Sequence, residues 1–170
     1  MRINQVPGNT ADRAFINGKN VESSAIAKGV PVILRASTSD DGLAVVLPST
    51  AGAAKTLSLF YGVTSDIMNA GDYGDLCAFG VCPYVLVARA TRAASSDSWT
   101  SSASIASYAA LNIDTVNNKF GVFSASAGAS AFIPFAILLD SIASFAASAT
   151  ATTDSRTVLT TSVRAFLRML

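Results

Sequence analysis

Apolar and polar residues alternate along most of this chain in short runs that end at turn-forming residues, the pattern of strands more than of helices. Val30 to Ala36 (VPVILRA) is apolar and β-branched and reads as a strand. Ser37 to Gly42 (STSDDG) is turn chemistry, since Asp tolerates and Gly favours the left-handed region. Leu43 to Leu47 (LAVVL) then returns, which predicts a hairpin. Pro48 to Ala54 is a loop of small residues. Thr56 to Val63 alternates, with Leu57, Leu59 and Tyr61 expected on one face. Leu111 to Val116 and Lys119 to Phe123 flank Asn117-Asn118 and predict a further hairpin. Between them and the preceding strands, Ser95 to Ser107 is rich in Ser and Ala and reads as a long loop anchored by Trp99, the lone tryptophan.

One segment carries a helical spacing. Phe135, Leu138, Leu139, Ile142 and Phe145 recur every three or four residues after Pro134, which suits a first helical turn. The tail, Thr157 to Leu170, fits both periods. Val163, Ala165, Leu167 and Met169 alternate with Arg164, Phe166 and Arg168, and the Thr/Val-rich lead-in favours a strand. The expected fold is mainly β with one short helix, a small barrel or sandwich. Its 170 residues suit one domain, and no internal repeat is visible. Residues 1–14 read as an extended polar arm, because Pro7-Gly8-Asn9 breaks any regular element. Residues 15–170 form the expected mostly-β domain.

Composition adds a constraint on partners. Charged residues make up 14% of the chain, against roughly a quarter in an ordinary soluble domain. Surface so poor in charge is usually covered by a partner or by copies of the same chain. The net charge of +1 gives no overall attraction to nucleic acid or anionic lipid, so neither is expected as a partner. The N-terminus lacks the apolar core of a signal peptide. The most apolar run, Ala131 to Ala147, is interrupted by Pro134 and Asp140 and falls short of the ~20 residues a membrane helix needs. These features lead to the expectation of a protein made and used without secretion, its thiols reduced.

The two cysteines, Cys77 and Cys82, lie in GDYGDLCAFGVCPYVLVARATR, residues 71–92. If Phe79-Gly80 is a two-residue turn, Cys77 faces Cys82 across a hairpin, close enough to bridge. If Gly80 instead sits in a bulge, Cys77 faces Val81 and Cys82 points away. The spacing is CxxxxC in β-like sequence, unlike the CxxC at a helix start that lowers a thiol pKa. A zinc site needs about four ligands, and the chain has no histidine and no third cysteine. Two buried small hydrophobes are the expected reading, with no metal and no cofactor.

Other chemistry is sparse. The absence of histidine removes Ser-His-Asp and Cys-His arrangements and any histidine base. Lys19, Lys28, Lys55 and Lys119 lie in polar or glycine-containing contexts and read as solvated. Asp40-Asp41 and Asp72/Asp75 could in principle form an acidic pair, but both sit among turn residues. Ser49 to Thr56 (STAGAAKT) lacks the glycine directly before the lysine that a phosphate loop requires. Arg89 and Arg92 near Trp99 could stack on bases, although without a basic stripe a protein contact fits better. Arg164 and Arg168 read as the solvated or interface side of the last element. An enzyme is not expected.

Three segments carry a resemblance: YGVTSDIMNAGDYGDLCAFGVC (Tyr61 to Cys82), TRAASSDSW (Thr91 to Trp99) and SVRAFLRML (Ser162 to Leu170). Together with the strands from Val30 onward, they resemble the head decoration, or cement, proteins of tailed bacteriophages. The long Ser/Ala loop departs from that pattern. The resemblance implies a virion protein, made in the host cytoplasm and placed on the capsid surface. It would bind the major capsid protein, clamp neighbouring capsid subunits and associate with itself, commonly as a trimer. On that reading the arm and the Trp99 loop touch neighbours, through Arg2, Ile3, Val6, Arg13, Arg92 and Trp99. The alternatives are a minor component of the tail or head–tail junction, a wall-degrading hydrolase using the aspartates, and a carbohydrate-binding module.

Overall fold

A computed structural model of the chain describes residues 13–35, 42–51, 59–90, 106–114, 118–122, 135–142 and 158–167. In chain order their elements are β1 (Ala14–Asn20), β2 (Pro31–Leu34), β3 (Ala44–Val46), α1 (Pro48–Ala51), β4 (Phe60–Thr64), β5 (Tyr73–Ala90), β6 (Ala110–Asp114), β7 (Lys119–Val122), β8 (Ala136–Leu138) and β9 (Val158–Leu167). The fold is mainly β with one short helix. The pairings run β1-β3-β2-β4-β5-β7-β6-β8-β9, and the further pairs β1–β5 and β5–β9 close them into two barrel-like rings that share β5.

The first ring closes around a compact interior. Ile16 lies opposite Leu76 on the antiparallel β1–β5 pair, and both join Val32, Val45, Ala78, Ile26, Val30 and Met68 in one buried cluster. Gly18 points into the same space. A Cβ there would lie 2.6 Å from Leu76 Cδ1, so only glycine lets β1 approach this closely. In the second ring, directly opposed residues share a face and build the interior in rows. Ile113, Phe120 and Val87 form one row, Leu138, Ala165 and Cys82 a second, and Leu111, Ala136, Leu167 and Gly80 a third. The outer side of the first ring supplies Ile33, Val46, Val63 and Cys77 to the same cluster, so the rings share packing as well as a strand. Phe60 of β4 reaches across, its ring centroid 5.2 Å from Phe135 and 6.1 Å from Phe120.

The two expected hairpins are present. β2 and β3 pair antiparallel through Ile33–Val46 and Leu34–Val45. β6 and β7 pair from Leu111–Val122 to Asp114–Lys119, with Asn118 at φ 54° in the turn. The tail is a strand: Val163, Ala165 and Leu167 are buried, while Ser162 and Arg164 are exposed. Three expectations are corrected. The segment expected to be helical from Phe135 is strand β8, paired on one edge with β6 and on the other with β9. An isolated helix of about ten residues is marginal, whereas a strand with partners on both sides satisfies its backbone fully. The helix lies instead at Pro48–Ala51, within the stretch read as a loop, with proline in its first turn. Finally, Leu59 packs on the shared cluster and Tyr61 on the first-ring cluster, because the β2–β4 register shifts between Val32 and Ile33. Leu57, Asp40, Asp41, Lys55 and residues 95–105 of the Ser/Ala loop lie outside the described residues.

Candidate functional site

Strand β5 settles what the CxxxxC segment is. It is neither arm of a hairpin; the chain runs on as one 18-residue strand through Phe79 and Gly80. The strand is nevertheless sharply bent. Its register against β1 shifts between the pairs Ala14–Phe79 and Phe15–Cys77. Against β9 it shifts between Cys82 and Val85, where Pro83 falls. Gly80 sits at φ +90°, a conformation that favours glycine. Proline and glycine are confined within sheets to such bulges. The bend is where β5 leaves the first ring and joins the second.

Residues five apart on a straight strand are about 16 Å apart and face opposite ways. Across the bend, Cys77 and Cys82 instead both face the cluster that the two rings share. Both are free thiols with no solvent exposure, and the Cys77 thiol donates to the Phe79 carbonyl oxygen at 3.9 Å. A side-chain interaction with Cys82, with burial, raises the Cys77 pKa well above the ordinary thiol range. The interaction with Cys77 lowers the Cys82 pKa, helped by a backbone hydrogen bond from Tyr84 and by the charges of Arg13 and Lys28. The Lys28 ammonium lies 4.6 Å from the centroid of the Tyr84 ring. Burial raises the Tyr84 pKa in turn.

Of the residues expected at an interface, only Arg13 is among those described. It is half-buried, immediately before β1, and its charge reaches Cys77, Cys82 and Tyr84. Arg2, Ile3, Val6, Arg92 and Trp99 lie outside the described residues. The described surface carries large apolar groups that the pattern of the chain did not single out. Phe79 is 39% exposed and meets Phe166 edge to face at 5.5 Å. The row Ala110–Ile137–Phe166–Val81 continues this face across β6, β8, β9 and β5, every member half-buried. Tyr108 is 78% exposed, at φ 68°. Its backbone is pinned by Tyr108 N–H to Leu138 O at 2.7 Å, and by Leu138 N–H to Ala109 O. Only the left-handed φ of Tyr108 marks this place as unusual, and such strain tends to gather at functional positions.

The β4–β5 turn presents Ile67, 63% exposed, and Tyr73, over whose ring the Lys19 ammonium sits at 5.4 Å. Asn20, buried at the end of β1, holds this turn. Its side-chain amide donates to Ser24, Met68 and Asn69 carbonyls, and its oxygen accepts from Glu22 N–H. The aspartates of the turn are engaged structurally or open to water: Asp72 accepts from the Asn69 amide, and Asp75 is exposed. Among the described residues no three His, Cys, Asp or Glu side chains cluster as metal ligands, and no helix is long and apolar enough to cross a membrane. Scans against protein-family models and curated proteins gave no match to the chain.

Proposed function

We propose that this chain is a structural virion protein that binds the outer surface of a phage capsid and clamps neighbouring capsid subunits. It would do so as a homo-oligomer, with a trimer favoured, and without catalysis or a cofactor. The observation that carries this reading is the apolar outer surface on a frame of closed rings: Phe79, Phe166, Ile137 and Val81 on one face, with Tyr108 held rigidly on a turn nearby in the sheet order. Aromatic anchors on a rigid scaffold lose little entropy on binding and commonly dominate interface energetics. The low charge of the chain points the same way. Two of the segments that resemble decoration proteins form the strands of that frame: Tyr61 to Cys82 spans most of β4, the turn and the bend of β5, and Ser162 to Leu167 is the end of β9. The N-terminal arm would add contacts by ordering on a capsid neighbour.

The deciding measurement is copy number in purified particles by quantitative mass spectrometry, relative to the most abundant shell protein. A ratio near one-to-one supports a shell component. A few copies per particle would move the assignment to the tail or head–tail junction, and absence would refute a virion role. Removing residues 1–12 should weaken shell binding and leave the core folded; unchanged binding refutes the part given to the arm.

A further inference from the structure

We infer that copies of this chain associate head to tail, the β4–β5 turn of one copy seating on the Phe79–Phe166 face of the next. The inference rests on the homo-oligomer of the reading above and names its joint; Tyr108 and the arm are left to meet the capsid. The large apolar side chains exposed among the described residues are Ile67, Tyr73, Phe79 and Tyr108. Ile67 and Tyr73 belong to the turn. Phe79 lies on the same strand as Tyr73, roughly 20 Å further on at about 3.3 Å per residue. Fixed on one strand of a closed ring, the two apolar surfaces cannot meet within one copy. They can meet between two.

Charge decides which surface meets which. Around Ile67 and Tyr73, exposed Asp66, Asp72 and Asp75 set three carboxylates against one ammonium, that of Lys19 over the Tyr73 ring. Asp66 accepts the Ile67 N–H and Asp72 the Asn69 amide, and a carboxylate has room for further donors. The Phe79–Phe166 face has the opposite sign. Arg13 precedes Ala14, which lies opposite Phe79, and Arg164 stands two residues before Phe166 on the same side of β9. Asp140, bonded to Arg164, is the one acidic side chain placed beside this face among the described residues. A two-fold pairing of either surface with itself would set an excess of like charge opposite its copy. Turn on face sets unlike charges opposite, around an apolar centre. Because the two surfaces differ, the association is heterologous, and three copies that close into a ring satisfy every joint.

Two variants and their mixture test this. Phe79→Asp spoils the face and keeps the turn; Ile67→Asp spoils the turn and keeps the face. Both positions are exposed, and far-UV circular dichroism with urea unfolding checks that each variant is folded. Should Phe79→Asp fail that check, Phe79→Ser takes its place. Masses are then measured by sedimentation of the purified protein at graded concentrations, without capsids. The wild type should sediment as several chains, three where the ring closes, and each variant alone as a single chain. An equimolar mixture should stop at two chains, because only the intact face of one variant and the intact turn of the other still fit. A single-chain mass for the wild type would overturn the inference. So would a folded variant that keeps the wild-type mass, or a mixture that stays at one chain or returns to the wild-type mass. Such a failure leaves shell binding to the copy-number measurement, whereas absence from particles refutes the virion role and leaves the head-to-tail joint standing.

Discussion

Replacing Asn20 by Asp tests the account of the β4–β5 turn most sharply, because it changes two hydrogens and a charge at nearly constant shape. Asn20 has no solvent exposure, and its amide nitrogen faces three carbonyls: Ser24 and Met68 at 2.9 Å and Asn69 at 3.1 Å. In Asn20→Asp an oxygen faces those acceptors instead. When protonated, the new carboxyl donates to one of them and leaves the others without a side-chain donor, a cost of about 2 kcal/mol at roughly 1 kcal/mol per lost bond. When ionised it donates to none, and the hydrogen bonds around this position bring no cation to offset its burial. The folded-state pKa of the introduced carboxyl is therefore raised above its unfolded value of about 3.9. Between the two pKa values the folded protein binds more protons than the unfolded one, so the stability of the variant falls as pH rises. The gap between wild type and variant should be about 2 kcal/mol near pH 3. Above about pH 4 it should widen by up to about 1.4 kcal/mol per pH unit until the folded pKa is reached. Urea unfolding of both proteins at a series of pH values measures this directly. A gap that stays constant with pH, or narrows as pH rises, would refute the donor assignment of Asn20 and with it the claim that Asn20 holds the turn.

Three further outcomes are expected. Gly29→Ala should destabilise by about 3 kcal/mol in urea unfolding: Gly29 is at φ +81°, and a Cβ would lie 2.0 Å from the Tyr84 carbonyl oxygen. A cost below about 1 kcal/mol would mean that the turn before β2 does not press on β5. Tyr108→Gly should raise stability by about 1 kcal/mol by relieving the left-handed backbone and, if the proposed function holds, weaken binding to capsid shells; a loss in both assays would refute the division between strain and contact. Asp140 and Arg164 are joined by a 2.6 Å ion pair, and the Arg164 hydrogen bonds hold the Asp140 carboxyl below the usual carboxylate range. What this pair contributes is present above the ordinary carboxylate pKa and is lost as pH falls through the depressed one. In Arg164→Ala the Asp140 carboxyl, followed by NMR, should titrate at higher pH than in the wild type.

How far the fold could be read from the sequence depended on whether local pattern and tertiary pairing agreed. In Val163, Ala165 and Leu167 they agree, and the strand was legible because alternate residues face a core. At β8 they conflict. Phe135, Leu138 and Ile142 are all buried, as a helical stripe would have them, but the partners on both edges are supplied by residues distant in sequence. β1 was missed because AFINGKN contains few large apolar residues. Gly18 stands where a core residue is expected, since Leu76 and Val45 already fill the space. The exposed groups had no signal of their own: Phe79 reads as a turn residue and Phe166 as a strand residue, and only the pairing of β5 with β9 puts their rings together on the outside.

The bend in β5 explains why glycine, proline and two small thiols fall within a few residues of each other. A strand that belongs to two rings must turn its inward face from one interior to the other. Simple alternation cannot do this, because each ring interior would claim the same parity of residues along the whole strand. Register shifts on either side of Gly80 change that parity: Leu76 and Ala78 fill the first ring, and Cys82, Val85 and Val87 the second. Both cysteines are fully buried in the cluster that the rings share, with Cys77 opposite Val63 and Cys82 opposite Ala165. Cysteine is among the residue types most often fully buried. Serine has the size of cysteine, but its hydroxyl would need a stronger partner than a buried thiol does. Cysteine, like alanine, is small and tolerant of burial, so the two thiols fill the core on either side of the register shifts by which one strand serves two rings.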